Sequence, residues 1–284
     1  MLASSLTLKA ASLGASPCPR GALEPGTPPP PPWIYGNASE SEASDAVQKS
    51  SWSPNYPTCA AGSSQSPINV VTTDALRDEL VVLAPHLPSR DLQPSNSGHG
   101  YELAALGAVP PSVIDGRSFA FQQVHWHAPA ENLVDGEQAA MEGHFVHESA
   151  AGELAVLAVR FALSSECNQE LAPFWASFPQ AEGEKGAPTA ADLNATVAPL
   201  LAHGFYSWNG SLTTPPCTEG VRWYLLQRTA PVCQAQVDQL RRNLRQTRGV
   251  DFSNRAAQPL NGRVVRFTPG GATSNSSVQE GSIQ

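Results

Sequence analysis

Alternation of side chains is the feature that most constrains the fold of this chain. In five segments, β-branched and aromatic residues alternate with other types, which is typical of β-strands. Clear helical periodicity is found mainly in residues 234–245. Because few crossover helices separate the strands, we predict a mixed α/β fold dominated by one large, mostly antiparallel, twisted sheet with short peripheral helices. The predicted strands are 118–127, 141–147, 153–163, 221–227 and 263–268.

The chain of 284 residues, 41% of them hydrophobic, is long enough to bury a sizeable core. We expect a single folded domain over residues 33–268. Residues 1–32 are expected to be a leader and linker, since their first 23 residues lack Asp and Glu and five prolines follow at 28–32. Residues 269–284 are rich in Gly, Ser and Asn and are predicted to be disordered.

The net charge excludes one class of partner. A formal charge of -8 argues against nucleic acid, whose phosphates attract clustered Lys and Arg. No stretch approaches the roughly 18 consecutive apolar residues of a membrane span, and nothing in the sequence predicts a partner protein.

The cysteines are too few for a disulfide scaffold, and none lies in a Cys-x-x-Cys pair. One or two structural disulfides are compatible with Cys18, Cys59, Cys167, Cys217 and Cys233. Glycosylation sequons, which matter only in a secretory route, begin at Asn37, Asn194, Asn209 and Asn275. They are compatible with a secreted glycoprotein of an oxidising compartment.

Three histidines stand on the predicted strands at spacings that suit a metal. Within 119–127, the period of two puts Gln123, His125 and His127 on one face. The next predicted strand places Glu142, His144 and Val146 together, with His147 on the opposite face. A short antiparallel connection would bring His144 beside the first pair.

Three neutral imidazoles with one open position are typical of a catalytic zinc site, and Gln123 and Glu142 could orient the rings. A His-x-His pair alone is more often an ordinary half-buried pair. The spacing His125-x-His127-x-x-x-Glu131 also matches part of the cupin pattern, which binds manganese or iron. The glycines around it are off the cupin spacing, and no second Pro-x-Gly-x-x-His segment follows. The residues alone leave these interpretations open.

A further segment, Gly210-Ser-Leu-Thr-Thr-Pro-Pro-Cys217, resembles the signature loop of alpha-type carbonic anhydrases, in particular the secreted and lumenal algal, plant and bacterial members. The resemblance extends in order from Trp33 to about Arg266. It also covers Trp33-x-Tyr35, Gln65-Ser-Pro-Ile-Asn69, Ser97-Gly-His99 and Arg255-Ala-Ala-Gln-Pro-Leu-Asn-Gly-Arg263.

The resemblance implies reversible hydration of carbon dioxide to bicarbonate and a proton by hydroxide formed at Zn²⁺, with His125, His127 and His144 as its ligands. It implies that the Thr213 hydroxyl accepts a hydrogen bond from that hydroxide and donates a hydrogen bond to Glu131. Sulfonamides and other anions are the inhibitors that the resemblance implies.

The resemblance makes His99 the residue that carries the product proton to solvent. An imidazole has an unperturbed pKa of about 6.5, and Gly98 and Gly100 would leave this one mobile. The resemblance also implies an apolar wall for carbon dioxide. Its residues would be Val146, Val156, Leu212, Thr214, Val221 and Trp223.

Cys59 and Cys217 match the two positions that pair in secreted and lumenal members of the family. The resemblance therefore implies this disulfide and an oxidising compartment, either extracellular or an organelle lumen such as that of a plastid. Whether Cys167 and Cys233 pair is left open, because the sequence gives no distance between them.

Two positions depart from the family pattern. Ala130-Glu131-Asn132 stands where Ser-Glu-His is common, and Asn254 replaces an aromatic residue found in many relatives. An amide both donates and accepts, so we expect a stability cost at Asn132 rather than inactivity. A non-catalytic interaction or storage relative is the main alternative, but such proteins typically lack a ligand histidine, whereas all three are present here.

Overall fold

The computed structural model describes residues 33–36, 42–79 and 81–270. The predicted leader at 1–32 lies outside the described residues, as does the predicted tail from residue 271 onward. Pro269, assigned to that tail, is instead the last residue of a strand. Within the described ranges, no helix is both long enough and apolar enough to cross a membrane.

Most of the helices are short. One helix was predicted at 234–245 and extends a turn further, to Arg248, because Gly249 adopts a left-handed φ of 74° that ends it. The helices are α1 (Asp45–Trp52), α2 (Thr58–Ala61), α3 (Ala172–Trp175), α4 (Leu193–Leu201) and α5 (Gln234–Arg248), with a 3₁₀ turn at Thr72–Asp74.

Strands make up most of the regular structure. They are β1 (Asn69–Val70), β2 (Leu76–Arg77), β3 (Leu83–Ala84), β4 (Leu92–Asn96), β5 (Tyr101–Ala105), β6 (Ser112–Ile114), β7 (Arg117–His127), β8 (Leu133–Val134), β9 (Met141–Glu148), β10 (Leu154–Leu163), β11 (Gly204–Ser211), β12 (Glu219–Leu226), β13 (Ala230–Val232) and β14 (Arg266–Pro269).

The large central sheet has the strand order β2-β14-β11-β12-β10-β9-β7-β5-β4. Most neighbours are antiparallel, which confirms the predicted architecture. The sheet is nevertheless mixed, because β10 pairs in parallel with β12 and with β13, and β14 pairs in parallel with β2. The chain between β10 and β12 contains α3, α4 and β11, which is the kind of long connection that a parallel pair needs.

All five predicted strands are present, with ends that differ from the prediction by at most three residues. Other strands, among them β5 and β11, were not predicted. β5 is buried along nearly its whole length and so shows no alternation. β11 contains glycine, serine and asparagine, which are uncommon in strands, yet it is paired on both sides by β12 and β14.

The central strand β9 is buried along Met141–His147 and distributes its side chains between two clusters. Phe145 packs into the larger cluster, which α5 covers through Val237, Leu240 and Leu244. Val146 packs into a smaller cluster with β10, β11 and β12 on the other face of the sheet. The period of two in β9 thus puts His144 on the same face as that smaller cluster.

Candidate metal centre

The structure brings the three predicted histidines together. His125 of β7 lies directly opposite His144 of β9, and His127 lies two residues along β7. The ring centroids are 5.0 Å apart for His125 and His127, 5.2 Å for His125 and His144, and 4.6 Å for His127 and His144. His127 and His144 are buried.

Each imidazole has one nitrogen engaged by a protein oxygen. The other three nitrogens, Nε2 of His125, Nε2 of His127 and Nδ1 of His144, face one another, and the ligand atoms of this group lie within 4.8 Å of one another. The engaged pairs are His125 Nδ1 with Gln123 Oε1 at 2.8 Å, His127 Nδ1 with Ser253 O at 2.6 Å and His144 Nε2 with Glu142 Oε1 at 3.0 Å.

The electrostatics of this group suit a cation. Burial, together with the neighbouring imidazoles, holds the pKa of His125 and His144 well below the usual value, and burial also lowers the pKa of His127. All three rings are therefore neutral at neutral pH, which is the form that binds a metal. His127 Nε2 is buried without a hydrogen-bond partner in the described residues. A metal ion would satisfy it.

Glu142 is fully buried, and it orients His144 through a network that Asn132 completes. Its Oε2 accepts from the backbone N–H groups of Glu131 at 2.9 Å and Asn132 at 2.8 Å, and its Oε1 accepts from Asn132 Nδ2 at 2.6 Å. Asn132 Oδ1 accepts from the N–H of Ile68 at 3.1 Å. Asn132 departs from the family pattern, and its side-chain amide thus both donates and accepts hydrogen bonds.

Glu131 lies beside the histidines, 1% exposed. Its Oε1 accepts the backbone N–H of Arg255 at 2.7 Å, and its Oε2 lies 3.6 Å from His127 Nε2. Burial raises the pKa of Glu131 well above its usual value, while hydrogen bonds from Thr213 and the Arg255 backbone oppose that rise. In the described chain, the cluster able to hold a metal comprises the three histidines without Glu131, contrary to the cupin interpretation.

The loop that carries Thr213 is fastened to the N-terminal part of the domain. Cys217 forms a disulfide with Cys59, and its carbonyl accepts from Gln65 Nε2 at 3.1 Å. Ser211 Oγ accepts from the backbone N–H of Ser66 at 2.9 Å. These contacts hold both ends of the short segment that positions Thr213.

Two residues of the site were missed by sequence reasoning. Arg255 is 1% exposed, and its guanidinium donates to Gln65 Oε1 at 2.9 Å, to Ser66 O at 2.8 Å and to Cys59 O at 2.8 Å. It opens the closing motif, which is the only sequence signal for it. Ser253 acts through its backbone carbonyl, for which no side-chain pattern exists.

Trp223, one of the residues predicted to form the apolar wall, lies beside His144. The His144 and Trp223 rings are edge to face with centroids 4.9 Å apart. Thr214 is partly exposed in the loop, and its carbonyl accepts from the N–H of Cys217 at 2.9 Å. The apolar members of the wall belong to the smaller cluster or pack against it: Val146, Val156, Leu212, Val221 and Trp223.

Comparison with known proteins assigns this chain to a family. A profile described as eukaryotic-type carbonic anhydrase matches residues 47–269. The chain belongs to this carbonic anhydrase family.

Similar carbonic anhydrases occur in bacteria and plants. The carbonic anhydrase of Klebsiella pneumoniae is 37% identical over 235 residues, which cover 82% of this chain and 89% of the relative. Alpha carbonic anhydrase 3 of Arabidopsis thaliana is 32% identical, with 79% and 81% covered. The solved complex of the Thermovibrio ammonificans alpha-carbonic anhydrase with the inhibitor sulfanilamide has a TM-score of 0.71 at 32% identity and covers 82% of this chain and 98% of that one.

His99, the expected proton carrier of this carbonic anhydrase, does not have the mobile environment that its glycine neighbours suggested. Its ring stacks on Trp33, with centroids 3.9 Å apart and planes 5° apart. Its Nε2 lies 3.2 Å from Arg248 Nη2. Burial and the charge of Arg248 lower the pKa of His99 to about 3. The expectation that His99 titrates near neutral pH is therefore wrong for this conformation. Stacking removes the ring from water, and a cation lies beside it.

Glu102 is a further buried group near the centre that the sequence did not single out. It lies on β5 directly opposite His125 and is 9% exposed. Burial raises the pKa of Glu102 to about 7, although Lys185 opposes the rise. Only the pairing of β5 with β7, which was not predicted, places it here.

The second possible disulfide is also present. Cys167 and Cys233 are joined, and Cys233 is the residue that precedes α5. Gln236 reinforces the same corner, because its Oε1 accepts from the N–H of Asn168 at 2.9 Å and its Nε2 donates to the Asn168 carbonyl at 2.9 Å. The two disulfides indicate an oxidising environment.

Proposed function

We propose that this chain catalyses the reversible hydration of carbon dioxide to bicarbonate and a proton at a zinc ion held by His125, His127 and His144. The observation that carries the proposal is the set of three converging nitrogens, each on a neutral ring whose other nitrogen is already engaged. Zinc bound there would lower the pKa of a water to about 7, supplying a nucleophile at neutral pH. Gln123, Ser253 and Glu142 hold the rings in position.

Thr213 and Glu131 would orient the attacking oxygen. Glu131 Oε1 accepts from the Arg255 backbone N–H, and its Oε2, which has no hydrogen-bond partner in the described residues, would accept from the Thr213 hydroxyl. Burial alone favours the protonated form of Glu131, but the charge of Arg255 opposes this and a bound zinc ion would oppose it further. An ionised carboxylate can only accept, so Thr213 would then donate to it and keep its lone pairs to accept from the nucleophile. That acceptance would direct the nucleophile's free lone pair toward the apolar wall, where carbon dioxide would lie against Val146 and Trp223.

The product proton must then reach solvent. We retain His99 as the proposed carrier, with the condition that its ring leaves Trp33 and Arg248 before it titrates near neutral pH. Sulfonamides and other anions are the proposed inhibitors, because the relative from Thermovibrio ammonificans is solved with sulfanilamide.

Stopped-flow hydration of carbon dioxide with a pH indicator tests the proposal. We expect rapid hydration that a sulfonamide blocks, and a kcat/KM about 10² to 10³ times lower in Thr213→Val, which removes one oriented hydroxyl. Thr213→Ser, which keeps the hydroxyl, is the matched control and should retain most activity. Folded, zinc-loaded protein without hydration activity would favour a non-catalytic relative instead, and equal rates for Thr213→Val and the wild type would exclude the orienting role.

The compartment is proposed to be extracellular or an organelle lumen, and the protein to be glycosylated where it passes through a secretory route. Asn209 is exposed on β11, whereas Asn194 uses its Nδ2 to donate to the Leu87 carbonyl at 2.7 Å. Asn37 and Asn275 lie outside the described residues. Between the two described sequons, we therefore assign the glycan to Asn209.

In a secretory host, Asn209→Gln should remove one glycan and Asn194→Gln none. Peptide mass spectrometry with and without endoglycosidase measures both. A glycan on Asn194, with Asn209 unmodified, would contradict the assignment.

A further inference from the structure

A polar cavity of 520 Å³ lies next to the candidate metal centre and shares Glu131 with it. Pro129, Gln138, Arg241, Asp251 and Asn254 are among its lining residues. This volume falls within the range of roughly 300–1,000 Å³ that is usual for sites of small molecules. None of the roles proposed above for catalysis uses this cavity.

Two side chains that line the cavity have polar atoms without partners. Asn254 is 5% exposed, and its Oδ1 has no hydrogen-bond partner in the described part of the chain. Arg241 Nε is likewise buried and without a partner there. Native proteins rarely leave buried polar atoms unsatisfied, so a polar occupant is expected between these side chains.

The other charged groups of the cavity are accounted for. Asp251 pairs with Arg245 at 2.6 Å, and Glu131 Oε1 accepts from Arg255 N. Glu131 Oε2 has no hydrogen-bond partner in the described residues, but it lies 3.6 Å from His127 Nε2, toward the candidate metal centre. The Arg255 guanidinium is engaged by the three oxygens described above. Glu42 is exposed. Arg241 also lines two further cavities of 380 and 390 Å³, so it stands where the three spaces meet.

We propose that Arg241 and Asn254 bind a small planar oxyanion of the carboxylate and bicarbonate class. A guanidinium presents its N–H donors in a planar fork that matches two oxygens of such an anion. The two ends of a carboxamide are assigned from their partners, so Asn254 can turn its N–H₂ toward a third contact. Water alone would satisfy these atoms but would leave the charge of Arg241 without a counterion. Bicarbonate is the first candidate for this anion. The choice of bicarbonate rests on the proposed function, whereas the proposal of an anion site does not depend on it.

Binding of [¹³C]acetate to the full-length, zinc-loaded protein saturated with a sulfonamide tests the site. The sulfonamide keeps acetate from the metal, and acetate, unlike bicarbonate, is not a product of the proposed reaction. We expect saturable broadening of the acetate resonance that bicarbonate reverses and chloride does not. Arg241→Gln should weaken binding by about tenfold or more, and Asn254→Ala by a few-fold, since charge-assisted hydrogen bonds are lost.

Arg242→Gln is the matched control, because it removes the same charge from the adjacent position of α5, which lines the 390 Å³ cavity but not the 520 Å³ cavity. It should bind acetate as the wild type does. Equal weakening of acetate binding in both arginine variants would show diffuse charge attraction and overturn the site. An absence of saturable binding would also overturn it, because the cavity would then hold only water. A failure of bicarbonate to compete would overturn its place as the ligand. If Arg241-dependent binding is present but carbon dioxide is not hydrated, the proposed function fails and the site stands.

Discussion

His144→Ala is expected to reduce carbon dioxide hydration to the uncatalysed background, a loss of at least about a thousandfold in kcat/KM. The substitution removes one of the three converging nitrogens and leaves Glu142 Oε1 facing a cavity. Zinc should be lost as well, because two histidines alone make a weak site. Stopped-flow hydration and the zinc content of the purified protein measure the two effects.

His147→Gln is the matched control for this change. His147 is a buried histidine of the same strand, but its ring packs on Phe121 on the opposite face of β9. We expect the control to lose some stability and to keep both zinc and activity. Zinc and activity retained in His144→Ala would show that the ligand set has been assigned wrongly.

Replacing Cys59 and Cys217 together by serine is expected to lower the free energy of unfolding by about 2–5 kcal/mol. The disulfide closes a loop with a sequence separation of 158, and long loops lose the most conformational freedom when they are closed. The same bond holds the end of the Thr213 loop. Hydration activity should therefore be lower than that of the wild type even at temperatures at which the variant is still folded. Urea unfolding and hydration rates measure these effects separately.

The pair Cys167 and Cys233 provides the comparison. Its sequence separation is 66, and it lies at the start of α5, away from the Thr213 loop. Its serine variant should therefore lose somewhat less stability and should keep the wild-type hydration rate. If both double variants lost activity equally, the disulfide at Cys59 would have no specific effect on the loop.

The histidine cluster could be predicted because strand geometry is rigid. A period of two puts His125 and His127 on one face, and the antiparallel connection from β7 to β9 leaves few places for His144. Thr213, Glu131 and the Cys59 disulfide came from the family resemblance, since each is unremarkable within its local sequence.

Contacts between distant segments could not be predicted from local sequence patterns. The parallel pairing of β10 with β12 depends on the packing of the long connection between them, and no local pattern encodes it. The stacking of His99 on Trp33 likewise joins two distant parts of the chain. The alternation of residues along the sequence gives no information about this contact. Asn132 shows a different limit, because one of its hydrogen bonds depends on where the backbone of Ile68 lies and the other two depend on Glu142.

The contacts of Ser253 and Arg255 bear on the synthesis of this protein. The carbonyl that orients His127 and the N–H that orients Glu131 belong to residues synthesised 126 and 124 positions later, respectively. A nascent chain therefore carries all three zinc ligands well before the groups that shape the site have left the ribosome. The centre reaches its final form only after residues 253 to 255 have been synthesised, so premature termination before residue 253 would yield a chain with the ligands but without a finished site.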